Sequence, residues 1–255
     1  MREDTIWIDA DDGARLAGSL FLPDGAGPFA ALLEALPYRK DDVTGSYRST
    51  YERYASAGFA VLRLDLRGTG SSCDVASDEY PDVERDDLRA AIRWLATQSW
   101  SSGRVGMFGT SYSGFNALQM AAAIRELDVP QLRAVVAAYA TDDRFTDDVH
   151  YCGGVLRAID LIDYPLYMVA MNALPPVPAV FGVLDGAPDW REEWRRRIDA
   201  TRAWLTEWLE HPLDGPTWRR GSIRLGPDGA GYERMAKSRP ASRCITATSS
   251  TASSA

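Results

Sequence analysis

The chain has 255 residues, 45% of them hydrophobic, and a net charge of −8. That length and composition suit one large globular α/β domain, or a domain carrying an insertion, with a substantial core. The acidic balance excludes a nucleic-acid partner: no basic stripe is interleaved with aromatics, and Arg195–Arg197 and Arg219-Arg220 sit among acids and tryptophans as solvated helix surface.

The acidic start, Met1-Arg-Glu-Asp-Thr5, lacks the apolar core of a secretory signal. Cys73, Cys152 and Cys244 are far apart, and with only two histidines no Cys/His pair has metal-ligand spacing. A reduced, cytoplasmic protein without a structural metal is expected. The longest apolar stretch, residues 166–184, carries Asn172 and prolines at 175, 176 and 178. It reads as a Pro-rich loop and not as a membrane span.

Residues 5–9 alternate apolar and polar, as a half-buried strand does. Asp11-Asp-Gly13 is a turn, and residues 15–22 form a second strand, so the pair reads as an antiparallel hairpin. Residues 29–36 are a buried strand interrupted by Glu34. Residues 47–57 have helical spacing and stop at Gly58, a C′ position. Residues 59–64 suit a central parallel strand. Apolar positions 88, 91, 92 and 95 mark an amphipathic helix over 83–97. A strand over 104–108, a helix over 112–124 and an apolar β-type run over 133–139 follow.

Strands alternating with helices predict a mostly parallel sheet with helices on both faces, an α/β fold. Residues 1–140 form its core. Residues 141–220 break the pattern with loops, prolines and one long helix over 190–209, a helical cap inserted over the sheet's carboxyl edge. Residues 221–255 are a divergent tail, and 241–255, mostly Ser, Thr and Ala, are expected to be disordered.

Gly109-Thr-Ser-Tyr-Ser-Gly114 stands between the predicted strand and an Ala-rich helix. It is a variant nucleophile elbow. A serine hydroxyl needs an exposed, sharply turned backbone and nearby N–H donors to attack a carbonyl. Ser111 is therefore the candidate nucleophile, and also a candidate turn serine capping the next helix. Tyr38, in the loop after residues 29–36, is either a packing aromatic or an oxyanion donor, with the Tyr112 backbone N–H as its partner. Asp65 and Arg67 are expected to pair and brace the loop beside the elbow. His150, in an acidic stretch, reads as a structural hydrogen-bonding residue, and His211 as a helix-end residue. Trp190/Trp194 and Trp204/Trp208 stand at i, i+4 spacing, usually a packing stripe and in the other reading a lid wall over a substrate.

Six ordered segments carry a family resemblance: Leu-Pro-Tyr-Arg-Lys (36–40), Asp-Leu-Arg-Gly-Thr-Gly (65–70), residues 100–114, Thr-Asp-Asp-Arg-Phe-Thr-Asp-Asp-Val-His-Tyr-Cys-Gly-Gly (141–154), Asn-Ala-Leu-Pro-Pro (172–176) and Trp-Arg-Arg-Gly-Ser-Ile (218–223). Across about residues 5–223 the chain resembles the CocE/NonD hydrolases, relatives of the X-prolyl dipeptidyl-peptidases. The resemblance implies the α/β-hydrolase fold and cleavage of small-molecule esters or amides through an acyl-enzyme, without a cofactor. It implies Ser111 as nucleophile, with the Tyr38 hydroxyl and the Tyr112 N–H as the oxyanion hole, and His150 as a cap residue.

The family's catalytic Asp and His follow the cap. Here the likeness fades after about Arg224, apart from Tyr232-Glu-Arg234, with no aspartate beyond Asp228 and no histidine beyond His211. The expectation is a truncated or frameshifted, catalytically impaired member lacking the last strands, with an unpaired strand edge near 133–139. Two alternatives stay open: a triad rebuilt from His211 with Asp185 or Asp189, and a non-catalytic binding protein.

Overall fold

The computed structural model describes residues 1–224 and 243–247. The chain opens with the antiparallel pair β1 (Arg2–Asp9) and β2 (Arg15–Leu22). Their turn is tied by the Gly13 N–H to the Ala10 carbonyl, with Gly13 at φ +87°. Only glycine enters that region without strain. β3 (Phe29–Leu36) is followed by α1 (Arg48–Ser56), β4 (Ala60–Asp65), α2 (Asp82–Thr97), β5 (Ser101–Thr110), α3 (Tyr112–Ala122) and β6 (Leu132–Ala138). Each expected element up to β6 is present, its ends shifted by a few residues.

The strands form one sheet in the order β1-β2-β4-β3-β5-β6, with β3, β4, β5 and β6 parallel. Every residue of β4 is buried, as its continuous apolar run requires at the sheet centre. One face packs Leu33, Leu62, Leu64, Val105 and Met107 against α2 and α3. The other packs Phe21 and Val61 under Tyr51 and Ala55 of α1. Helices therefore cover both faces of a mostly parallel sheet.

A two-stranded ribbon, β7 (Tyr151–Cys152) and β8 (Val155–Leu156), leads into α4 (Ala158–Asn172) and α5 (Pro178–Phe181). The run expected as a Pro-rich loop is thus helical up to Asn172, with Pro165 accommodated inside α4. The long helix expected over 190–209 is two helices, α6 (Trp190–Ala200) and α7 (Trp204–Glu210). Thr201 turns its hydroxyl onto the Arg197 carbonyl, 2.6 Å away, and takes an extended backbone at φ −62°, ψ 128°. That break lets Trp204 and Trp208 bury against Leu161, Met168 and Met171 of α4. Trp218 of α8 (Pro216–Arg219) completes this second core, so these three tryptophans pack.

The helical segment rests on loops at the carboxyl ends of β3 and β4. Arg39 donates to the Pro175 carbonyl at 2.9 Å, Arg197 to the Gly70 carbonyl at 2.9 Å, and Trp208 Nε1 to Asp78 Oδ1 at 2.8 Å. No helix among the described residues is long and apolar enough to cross a membrane.

At residues 243–247 the sequence expectation is corrected, while 225–242 and 248–255 lie outside the described residues. β9 (Arg243–Ala247) pairs in parallel with β6, Ala134 opposite Arg243 through Ala138 opposite Ala247. The β6 edge is therefore occupied and 243–247 is ordered. Cys244-Ile245-Thr246 are residue types that favour strands, and an open edge of amides and carbonyls is the template they pair with. The stretch containing Tyr232-Glu-Arg234 lies outside the described residues.

Candidate active site

The β5–α3 junction is a backbone outlier held on purpose-built neighbours. Ser111 has φ 59° and ψ −123°, a region costly for any residue with a Cβ. Its N–H donates to the Ala138 carbonyl at 2.9 Å, and its carbonyl accepts from Phe115 N–H at 3.0 Å. The turn is tight enough that a Cβ on residue 109 would lie 2.1 Å from Ser113 Cβ. A Cβ on residue 114 would stand 3.0 Å from the Ala138 carbonyl oxygen. Both glycines of the motif are there for close approach. Ser111 occupies the N-cap position of α3, yet its side chain makes no capping hydrogen bond. The hydroxyl faces a cleft of about 450 Å³ instead, which Glu34, Tyr38, Tyr51, Tyr54 and Phe108 also line. Another hollow, of about 340 Å³, lies between α2, α3 and residues 216–223 and contains neither Ser111 nor Tyr38.

Tyr38 follows directly on β3, which pairs with β5, so the sheet itself carries its hydroxyl to the elbow. Burial pushes the Tyr38 phenol up, while Tyr164, Ser111 and the Tyr112 backbone N–H pull it the other way. The group stays a neutral O–H donor at ordinary pH, beside both other predicted site residues. Its oxygen lies 3.3 Å from the Tyr164 hydroxyl of α4.

Tyr112 brings its backbone N–H here, and its ring meets the Tyr38 ring edge-on, centroids 6.3 Å apart. Its ring is buried against Tyr80, centroids 4.2 Å apart, and its hydroxyl donates to Glu84 of α2 at 3.0 Å. Burial drives the Glu84 carboxyl far above its usual range, against the pull of that hydrogen bond. The buried phenol anchors the first turn of α3, so the Tyr112 N–H points where the elbow dictates.

The histidines lie elsewhere. His150 is fully buried, with Nε2 3.3 Å from Glu79 Oε2 and its ring packed on Tyr164 and Trp208. His211 is the exposed C-terminal cap of α7, its carbonyl accepting from Trp218 Nε1. Asp189 caps α6 through the Arg191 N–H, and the Asp185 carbonyl accepts from Arg15. None of the described hydrogen bonds of these four residues reaches Ser111, so the triad rebuilt from His211 is not assembled.

Glu79 is the residue that sequence reasoning missed. It lies in the loop after β4 and is bridged by Arg144 and His150. Burial alone would raise its carboxyl, but His150 and Arg144 hold it at about 2. In sequence it is one acid in an acidic run ahead of α2, which looks like helix-start charge. The Asp65–Arg67 expectation is also corrected. Asp65 accepts from the Lys40 and Ser71 N–H groups at 2.8 and 2.9 Å, while Arg67 pairs with Asp87 and Asp12. Asp65 thus braces the loop that carries Tyr38, and Arg67 ties the loop after β4 to α2 and the β1–β2 turn, through partners that only the folded chain brings near. Among the described residues no group of His, Cys, Asp and Glu side chains could hold a metal ion.

The family described as X-Pro dipeptidyl-peptidase (S15 family) matches residues 12–233. Cocaine esterase from Rhodococcus sp. (strain MB1 Bresler) is 33% identical over 162 residues, which is 62% of this chain and 27% of that protein. The chain thus spans about a quarter of the length of the curated esterases it matches. Among solved structures, a CocE/NonD family hydrolase from Staphylococcus aureus superposes with a TM-score of 0.64 at 21% identity, over 88% of this chain and 38% of its own. An aminopeptidase from a marine sediment Thaumarchaeota archaeon gives 0.67 at 17% identity, over 97% and 42%. These two likenesses bear on the fold.

Proposed function

The chain belongs to the X-Pro dipeptidyl-peptidase (S15) family, and from that membership we propose that Ser111 is the nucleophile of an acyl-transfer site acting on small-molecule esters or amides. The observation that carries the reading is the strained Ser111 backbone at the strand–helix junction, its uncapped hydroxyl beside Tyr38. In this reading Ser111 Oγ attacks the substrate carbonyl carbon. The oxygen of that carbonyl becomes an oxyanion and accepts hydrogen bonds from the Tyr38 hydroxyl and the Tyr112 N–H. Collapse breaks the bond to the leaving oxygen or nitrogen, which takes a proton from water and departs as the alcohol or amine, and leaves an acyl-Ser111 ester that water hydrolyses. Residues 141–220 serve as the cap, closing the site over the carboxyl edge of the sheet.

His150 is held by Glu79 and His211 is the exposed cap of α7, so the proton of the Ser111 hydroxyl leaves to water or hydroxide in the cleft when the described residues act alone. Elbow and oxyanion donors without the triad base leave about 10³–10⁴-fold catalysis over water. The same placement of the histidines favours a second reading, a site that binds acyl esters without turning them over.

Labelling with a fluorophosphonate separates the two. The acyl-transfer reading expects one adduct, located on Ser111 by mass spectrometry and absent in Ser111→Ala. Binding of an acyl ester by an unlabelled chain would replace it with the second reading.

A further inference from the structure

Tyr38 can serve an oxyanion only if its single proton points at the substrate. Its neighbours set that choice. The Tyr112 N–H can only donate, whereas the Ser111 hydroxyl, which the attacking step commits to the substrate, and the Tyr164 hydroxyl, 3.3 Å away, can each donate or accept. We propose that Tyr164 is a positioning residue: by donating to Tyr38 Oη it aims the Tyr38 proton at the carbonyl oxygen above Ser111. The proposal rests on the acyl-transfer reading. When a carbonyl oxygen arrives, the Tyr38 proton turns to it, and the Tyr164 proton takes the lone pair left open. Consecutive hydrogen bonds of one sense polarise each other, so the chain Tyr164→Tyr38→oxyanion is stronger than its separate links.

What holds Tyr164 there is the docked helical segment. Tyr164 lies on α4, which packs on α7 through the cluster of Trp204 and Trp208. Its ring sits 5.3 Å from that of His150, and His150 is joined to Glu79 of the loop after β4. Arg144 pairs with the same Glu79 carboxylate and closes the clamp. The oxyanion donor is therefore complete only when cap and core are locked through Glu79, which makes cap docking a condition of catalysis and not only a shield from water.

The test uses the full chain with ¹³Cζ-tyrosine labelling and two readouts, the Tyr38 resonance and the rate of Ser111 labelling by a fluorophosphonate. Tyr38→Phe identifies the resonance. Tyr164→Phe is expected to shift it and to slow labelling about tenfold, with no further slowing when added to Tyr38→Phe. Tyr151→Phe is the control: its hydroxyl donates to the Pro212 carbonyl within the same cluster, and its loss should leave the Tyr38 resonance in place. An unmoved Tyr38 resonance in Tyr164→Phe overturns the proposal. So does equal slowing by Tyr164→Phe with and without the Tyr38 hydroxyl. If the unsubstituted chain takes no label, the acyl-transfer reading falls, while the resonance still decides whether Tyr164 orients Tyr38.

Discussion

Ser111 donates its backbone N–H to the Ala138 carbonyl across 2.9 Å, pinning a strained residue at the end of β5 to the end of β6. Strain of this kind costs about 1–3 kcal/mol and persists only where neighbours over-determine it. Ser111→Gly should therefore raise the melting temperature by a few degrees, a net gain of about 1 kcal/mol after the added chain entropy. Ser111→Ala keeps the Cβ and should melt with the unsubstituted chain. Thermal unfolding of the three proteins checks this; a destabilised glycine variant would mean that the conformation carries no strain.

Gly109→Ala should cost about 3 kcal/mol, because its Cβ would stand 2.1 Å from Ser113 Cβ and 2.5 Å from the Ser113 carbonyl carbon. Both are part of α3, so the elbow must open to make room. Denaturant unfolding reads the loss, and labelling of Ser111 should vanish with it.

Tyr38→Phe should leave the fold intact and lower the rate of Ser111 acylation by an activated ester about 100-fold, the usual cost of one oxyanion donor. The affinity for the same ester should change little. A variant acylated at the unsubstituted rate would place the oxyanion elsewhere.

Glu79 links pH to stability. Its carboxyl is held at about 2 in the folded chain, against 4.5 as the ordinary value. A lowered folded pKa gives stability that is present above the unfolded value and lost as pH falls through the folded one. The window is thus about pH 4.5 down to 2, and about 3 kcal/mol is at stake for this fully buried group. Glu79→Gln leaves the buried Arg144 with only the more distant Asp148 carboxylate, 3.7 Å away, as counter-charge. It should be destabilised by about 3 kcal/mol at neutral pH and should lack this share of the acid slope in urea titrations from pH 7 to 2.5.

Much of the fold was legible before any coordinates. The alternation of apolar runs with helical spacing placed β1 to β6 and α1 to α3, because each of those elements buries a face set by its own periodicity. The elbow was legible for a similar reason: Gly109 and Gly114 mark close approach within a few residues of Ser111. Where context decides, local reading failed. The break between α6 and α7 depends on where Trp204 and Trp208 bury, and β9 exists because β6 offers it an edge.

By itself the sequence determined the lineage, the strand–turn–helix around Ser111, and Tyr38 as a candidate donor, since all three rest on contiguous motifs. The tertiary structure alone decided what surrounds them. Glu79 meets Arg144 and His150 across 65 and 71 residues, and Tyr38 meets Tyr164 across 126. Such pairs leave no local pattern, because hydrogen bonding and charge act through space while periodicity acts only along the chain.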